Sequence, residues 1–323
     1  MEGLTKILKS GEITPYTMAG ADVLHSERGI DFVKTITDKS GLLKNLKIVR
    51  THKLDKILDV HYLADRVLHR VKEGTKPSDY TSISVEPVQL RNLRVDLDTK
   101  ILRSTLEDNL DNPNFEKEIF EEFAEGFSNN LADLALNGTE EQTQSSSRLN
   151  GFQTFLKLNK GFLKILNDSD DSIKLTSKTS VLDSLKEVAK KIPSEIFSEA
   201  VILINPQDLT ALQDEVGNKN SGLAILLNGG AKNILGVPLV ATDYMPRNTY
   251  IATSMKNLIF SYGSDIEIKR WYDNDEESLK YRFSLYCDFA VAVPKWCVIS
   301  NGEDSASGGG NVVTENNSGV IGD

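Results

Sequence analysis

One stretch constrains this chain more than any other: residues 112–139, NPNFEKEIFEEFAEGFSNNLADLALNGT. Phe115, Ile119, Phe120, Phe123, Phe127, Leu131 and Leu134 recur at steps of three and four, with Ile119 and Phe120 adjacent, and mark one face of an α-helix. Glu116, Lys117, Glu118, Glu121, Glu122, Glu125 and Asp133 fill the opposite face. Asn112 can cap the start, Pro113 suits the first helical position, and Asn137-Gly138 supplies the stop. About 24 residues at ~1.5 Å each make a rod of roughly 36 Å. A rod of that length spans a domain, so other elements must pack along it, and Phe123 is expected to face a sheet of the same subunit.

Before the rod, residues 1–25 carry a short amphipathic piece and then Gly11, Pro15 and Gly20. They read as an arm with too little apolar surface to form a core. Residues 26–36 suit a short helix with Ile30, Val33 and Ile36 inward. Residues 42–73 are ambiguous: Leu54, Ile57, Leu58, Val67, Leu68 and Val71 allow a helix, while Leu46, Ile48 and Arg50 alternate as in a strand. His61, Asp65 and His69 would share a helix face and could ligate a metal. In an extended hairpin they are simply solvated. Residues 88–97 read as a strand with one irregularity, after which Asp98 is expected to cap a short helix holding Ile101, Leu102 and Leu106.

After the rod, the polar loop TEEQTQSSSRLNG leads to two apolar segments, 152–158 and 162–166. Ser180 caps a helix with Val181, Leu182, Leu185, Val188, Ala189 and Ile192 on one face, stopped by Pro193. Residues 200–204 form a wholly apolar strand, and Asn205-Pro206 opens a helix closed by Gly217. Strand, cap and helix in that order make an α/β unit. Residues 237–242 and 249–253 are further strands. Residues 265–271 and 281–293 are the clearest pair, turned at Asn274. In the second, Tyr281, Phe283, Leu285, Cys287, Phe289, Val291 and Val293 face one way. The tail, 302–323, is rich in Gly, Ser and Asn and is expected to be disordered on its own.

Composition narrows the function. The net charge of −10 argues against tight nucleic-acid binding by the whole surface. The charge is uneven: residues 1–76 hold 14 Lys/Arg and 10 Asp/Glu, a net of +4, which leaves −14 for residues 77–323. No basic segment followed by an apolar one marks a signal peptide, and no apolar run reaches the ~20 residues of a membrane span. Cys287 and Cys297 are expected to be buried, reduced thiols. The chain has no GxxxxGK[ST], HExxH, CxxC or GxSxG motif, and its four histidines all precede residue 70. No catalytic residue, cofactor site or metal site is assigned.

Several stretches in order do point to a family. Leu106-Glu107-Asp108-Asn109 precedes the long helix, which ends in Leu134-Ala135-Leu136-Asn137-Gly138-Thr139, and Asn150-Gly151-Phe152 follows. Later come Ile202-Leu203-Ile204-Asn205-Pro206, Leu235-Gly236-Val237-Pro238, Met245-Pro246 and the alternating strand ending Ala290-Val291-Ala292-Val293-Pro294. This order resembles the major capsid proteins of tailed double-stranded DNA phages, the Hong Kong ninety-seven phage fold. The resemblance spans roughly residues 26–300 and implies an α+β fold. Residues 1–30 correspond to an N-terminal arm and 42–76 to an extended β-hairpin loop. Residues 77–195 and 263–289 form a peripheral domain with a spine helix at 113–137, and 196–262 with 290–301 form an α/β axial domain. The tail is 302–323. Some members begin with a long scaffolding segment; the short stretch before the first helix implies a separate scaffold or none.

The resemblance implies a shell protein that assembles with itself into the pentamers and hexamers of an icosahedral container for double-stranded DNA. A portal protein, scaffold or decoration proteins are its expected partners, in a virion built in the bacterial cytoplasm, with no membrane involved. A gene transfer agent or defective prophage would look the same. An encapsulin-type nanocompartment holding protein cargo and, in a different class, a soluble α/β enzyme are the alternatives. Glu118, Glu121, Glu122 and Glu125 are interface candidates, expected to meet Lys53, Lys56, Arg66 or Arg70 of a neighbour. Covalent crosslinking, as in the family's namesake, would use Lys53 or Lys56 with Asn274.

Overall fold

The computed structural model of the chain describes residues 22–23, 26–52, 55–62, 84–109, 112, 115–139, 155–217, 232–263 and 267–302. The amphipathic rod is helix α3, Phe115–Asn137. Before it come α1 (Ser26–Lys39) and α2 (Arg103–Asp108), and after it α4 (Phe162–Asp168), α5 (Val181–Lys191) and α6 (Pro206–Gly217). The first sheet contains β1 (Asp22–Val23), β2 (Lys47–Thr51), β5 (Leu93–Leu102), β11 (Leu258–Gly263), β12 (Glu267–Asp273) and β13 (Ser278–Val291). The second runs in the order β6 (Ile173–Thr176), β14 (Val298–Asn301), β10 (Tyr250–Ser254), β7 (Ala200–Ile204), β9 (Val237–Ala241) and β8 (Asn233–Ile234). A separate ribbon pairs β3 (Asp55–Tyr62) with β4 (Ser84–Arg91).

β13 is the centre of the first sheet. β5 pairs along one side of it, from Leu102 opposite Ser278 to Leu93 opposite Cys287. β12 and then β11 pair along the other side. The inward side chains Leu279, Tyr281, Phe283, Leu285, Cys287, Phe289 and Val291 are all buried beneath α3. Phe120 meets Phe283 edge-on at 5.4 Å between ring centroids, and Phe162 of α4 meets Phe289 at 5.8 Å. Phe123 lies 6.0 Å from both Tyr281 and Phe283, but its side chain is only half-buried; Phe120 and Phe127 are the deep anchors. α1 packs on α3, burying Val33 and Ile36, and Ser128 Oγ donates to the Ile36 carbonyl at 2.7 Å.

The rod stops where two glycines cross. A Cβ on Gly138 would lie 2.3 Å from the Asn159 carbonyl oxygen, and one on Gly161 would lie 2.6 Å from the Gly138 nitrogen. Gly138 is therefore required by backbone proximity, a constraint beyond the helix stop read from sequence.

Two expectations are corrected. Asp98 caps no helix: β5 continues to Leu102, because Val95 and Ile101 alternate into the core while Asp98 faces outward to Arg282 at 2.6 Å. The described ribbon is also offset from the expected 42–76. Leu42, Leu43 and Leu46 are buried in the body, β2 joins the first sheet beside β11, and the return limb is β4. The irregularity expected in 88–97 is Asn92, which separates β4 from β5 and donates to Thr51 Oγ1 at 2.6 Å, closing the base of the ribbon. His61 lies in a strand, so the helical spacing needed for a His61, Asp65 and His69 metal site is not formed there; Asp65 and His69 fall outside the described residues.

The second lobe is an α/β layer. α5 and α6 cover its sheet, with Leu185, Val188, Ile202, Ile204 and Leu212 buried between. Ser180 caps α5 as expected, accepting from the Asp183 N–H. Glu215 of α6 adds a second cap: its carboxylate accepts from Ser180 Oγ (2.8 Å), Val181 N (3.0 Å) and Leu182 N (3.1 Å). Between the lobes, Asn257 Oδ1 accepts from Val293 N at 2.8 Å while Asn257 Nδ2 donates to the Val293 carbonyl at 3.0 Å. One buried amide thus ties together two of the connections that cross from lobe to lobe, the turn between β10 and β11 and the segment after β13.

Thermal or denaturant melts of the unassembled subunit should rank three variants. Phe120→Ala should cost about 3–5 kcal/mol, the usual result of emptying a buried aromatic site. Phe123→Ala should cost less, because its ring is half in water. Glu215→Ala should cost about 1–2 kcal/mol, because three donors at the start of α5 lose their acceptor. A larger loss at Phe123 than at Phe120 would contradict the packing described.

Candidate assembly surfaces

Three surfaces remain once the core is assigned. The first is the acidic face of α3. Glu118, Glu122 and Glu125 are exposed, and Glu121 is half-buried. This face is already engaged within the chain. Lys39, at the end of α1, donates to the Glu121 carbonyl at 2.9 Å and reaches Glu125 Oε2 at 3.5 Å. Asn112 Nδ2 donates to Glu118 Oε2 at 3.2 Å. Lys39 was missed in the sequence because nothing there sets its distance from α3; only the packing of α1 does. Lys53, Arg66 and Arg70 lie outside the described residues.

The second surface is the ribbon. Pairing places Lys56 with Leu90 and Leu58 with Val88 on one face, and Ile57 with Gln89 on the other. Leu58, Val60, Val88 and buried Leu90 pack on Ile259, Ala290, Ala292 and Val293, the side of the first sheet opposite α3. Ile57 and Val85 are exposed. Lys56 sits near the Ala290 end of β13, whereas Asn274 is in the exposed turn beyond Ser278. The two crosslink candidates therefore sit at opposite ends of a fourteen-residue strand and do not meet within one subunit.

The third surface is the rest of that same sheet side. β5 presents Arg94, Asp96, Asp98 and Lys100; β13 presents Lys280, Arg282 and Ser284; β12 presents Glu267, Lys269 and Trp271. Arg282 pairs with Asp98 at 2.6 Å and lies over the Trp271 ring. Arg94 pairs with Asp96, Lys269 with Glu267, and Lys100 with Glu276. Lys280 bridges Asp273 at 2.7 Å and Glu276 at 3.1 Å. Each of these cations has a carboxylate partner, so the surface is an ion-paired grid.

Neither cysteine is placed for chemistry. Cys287 and Cys297 are free, buried thiols, and burial pushes the Cys297 thiol up to about 11, far from the range of a nucleophile. The comparison that decides the family is with the phage capsid family, which matches residues 20–296 of the 323. The chain belongs to the phage capsid family. This structural capsid protein is 21% identical over 284 residues to YqbE of Bacillus subtilis (strain 168), named as a prophage capsid protein, covering 82% of this chain and 87% of that one. Its fold is that of a chain in the satellite phage P4 procapsid including the size determination protein. That match has a TM-score of 0.66 at 13% identity and covers 93% of this chain and 95% of that one. The capsid of a native GTA particle has the same fold, with a TM-score of 0.58 at 12% identity over 91% and 95% of the two chains. No described helix of the capsid protein is long and apolar enough to cross a membrane.

The grid makes stability depend on acid. Hydrogen bonding by Lys280, helped by the Glu276 and Asp275 N–H groups, holds Asp273 below the usual carboxylate range; Lys100 and then Lys280 do the same for Glu276. A depressed carboxylate contributes fully above its unfolded pKa and loses that contribution as pH falls through the folded value. The stability from these two groups should therefore be intact at pH 7 and fade below about pH 4. Melting temperatures from pH 7 to 3 should fall more steeply for the wild type than for an Asp273→Asn, Glu276→Gln double variant. Parallel curves would show that the grid does not couple to folding.

Proposed function

We propose that this chain is the major shell protein of a tailed phage, a prophage or a gene transfer agent. Copies assemble into pentamers and hexamers of a closed icosahedral shell around double-stranded DNA, in the bacterial cytoplasm, with a portal and, where used, scaffold or decoration proteins. The observation that carries this reading is the phage capsid family match, which runs through both lobes and the ribbon. In the reading, the α3 lobe is the peripheral domain, the α5–α6 lobe is the axial domain, and the ribbon reaches towards a neighbour. Closed shells need one heterologous contact repeated until it closes, and a two-stranded ribbon outside both sheets suits that demand.

The charge asymmetry gives this contact a polarity. The N-terminal 76 residues carry net +4, and among the described side chains of α3 Glu118 and Glu122 are exposed carboxylates that Lys39 does not touch. In this reading basic residues of a neighbour's loop, among them Lys53, Lys56, Arg66 or Arg70, lie against them. Each exposed pair contributes only ~0–1 kcal/mol, but every subunit repeats it.

Electron microscopy of the purified protein tests the function: uniform shells, or their pentamers and hexamers, are expected, and a monomer or dimer at every concentration would overturn it. Assembly should weaken as salt shortens the Debye length from about 10 Å at 0.1 M to about 3 Å at 1 M. Glu118→Lys with Glu122→Lys should reproduce that loss at low salt; the melting temperature should fall only slightly, through the lost Asn112–Glu118 bond, since neither site pairs with Lys39. Full particle yield from the double variant at low salt would show that these carboxylates face no basic neighbour.

A further inference from the structure

Four non-glycine residues among the described ones have left-handed backbone: Leu235 (φ 49°), Tyr244 (φ 65°), Asn248 (φ 55°) and Glu277 (φ 43°). For L-residues this region is sterically disfavoured, and such an outlier points to something that holds or uses it. Three of the four are held within the chain. The Asn248 N–H donates to Asp208 Oδ2 at 2.6 Å, the Tyr244 carbonyl accepts from Asn137 Nδ2 at 2.8 Å, and the Glu277 carbonyl accepts from the Arg103 N–H at 2.9 Å. Leu235 has no such tie among the described residues.

Leu235 and Gly236 form the whole loop of the β8–β9 hairpin, since Ile234 pairs directly with Val237. With φ of 49° and 89° at the two positions, the turn is of the kind that favours Asn-Gly. Here the first position is an aliphatic side chain, 55% exposed. The turn does not yield to relieve it. Ile234 and Val237 are buried in the second core, β9 pairs with β7, and the Leu239 N–H donates to the Lys232 carbonyl at 2.8 Å. β8 is the outermost strand of its sheet. The subunit therefore holds an apolar side chain fixed in water, at a sheet edge, on a backbone that suits another residue. Neither feature stabilises the lone subunit.

We infer that Leu235 is an inter-subunit anchor, whose side chain is buried against a second copy of this chain when the shell closes. The inference rests on the shell reading above, because a second copy is the occupant that a self-assembling shell supplies at every subunit. A rigid apolar tip loses little conformational freedom on docking, which suits it to this role.

The chain's two cysteines are both buried, so Leu235→Cys introduces a single exposed thiol. A bulky maleimide should modify it readily in dissociated subunits and at least tenfold more slowly in assembled particles. Leu235→Asn fits the turn better, so the unassembled subunit should melt at the same temperature or higher while particle yield falls at least tenfold. Leu235→Met should keep assembly. Equal labelling of the introduced thiol in subunits and particles, or wild-type particle yield from Leu235→Asn, would overturn the inference. Failure of the wild type to form any particle would instead sink the shell reading itself.

Discussion

The packing of α3 across β13 carries the rest of this molecule. Phe120, Phe127 and Leu131 bury against Tyr281, Phe283 and Phe289, and that contact decides which side of the first sheet is dry. A fourteen-residue strand with every second side chain apolar runs about 46 Å, longer than the rod, so α3 covers most of that face and Phe162 of α4 covers Phe289. β5, β11 and β12 then take their registers from β13. α1 and α4 fill the flanks of the rod, and the Gly138–Gly161 crossing fixes where the rod ends. Removing the aromatic contact would therefore expose both the helix face and the sheet face at once.

The opposite side of that sheet is divided by chemistry. Near Ala290 and Ala292 it is apolar, and the ribbon lies on it through Leu58, Val88 and Leu90. Towards Ser278 it becomes the ion-paired grid of β5, β13 and β12. The ribbon rests on a small apolar contact, secured at its base by Asn92, Thr51 and Asp288. A ribbon held at its base and lightly held along its length is suited to exchange that contact for one with a neighbouring subunit. The second lobe is joined both by Asn257 and by Leu203, Met245, Ile251 and Ile299, which are buried in the same apolar cluster as α3 and β13.

Much of this was legible in the sequence where one face is wet and the other dry. The rod, α5 with its Ser180 cap, β7 with α6, and the alternation of β13 all follow from periodicity. β11 did not declare itself, because Leu258, Ile259, Phe260 and Tyr262 are buried on both faces, one beneath α3 and the other towards the ribbon, and the alternation vanishes. Asp98 read as a helix cap because a carboxylate before Ile101 and Leu102 fits either pattern; pairing with β13 settles it as strand. The ribbon's limbs could not be bounded from sequence, since Leu42, Leu43 and Leu46 look the same whether they enter the body or extend from it. Among the interface candidates, charge identified the exposed glutamates. Their engagement by Lys39 and the strained exposure of Leu235 depend on tertiary geometry and left no local signal.

The claim at the centre of this account is that α3 and β13 form the stable frame and the ribbon is held loosely until subunits meet. Amide hydrogen exchange, followed residue by residue in the unassembled subunit and again in particles, tests it directly. The account predicts the slowest exchange in the buried stretches of α3 and β13 in both states. It predicts markedly faster exchange in β3 and β4 of the free subunit, slowing on assembly. Ribbon amides as protected as those of β13 in the free subunit, and unchanged in particles, would contradict it.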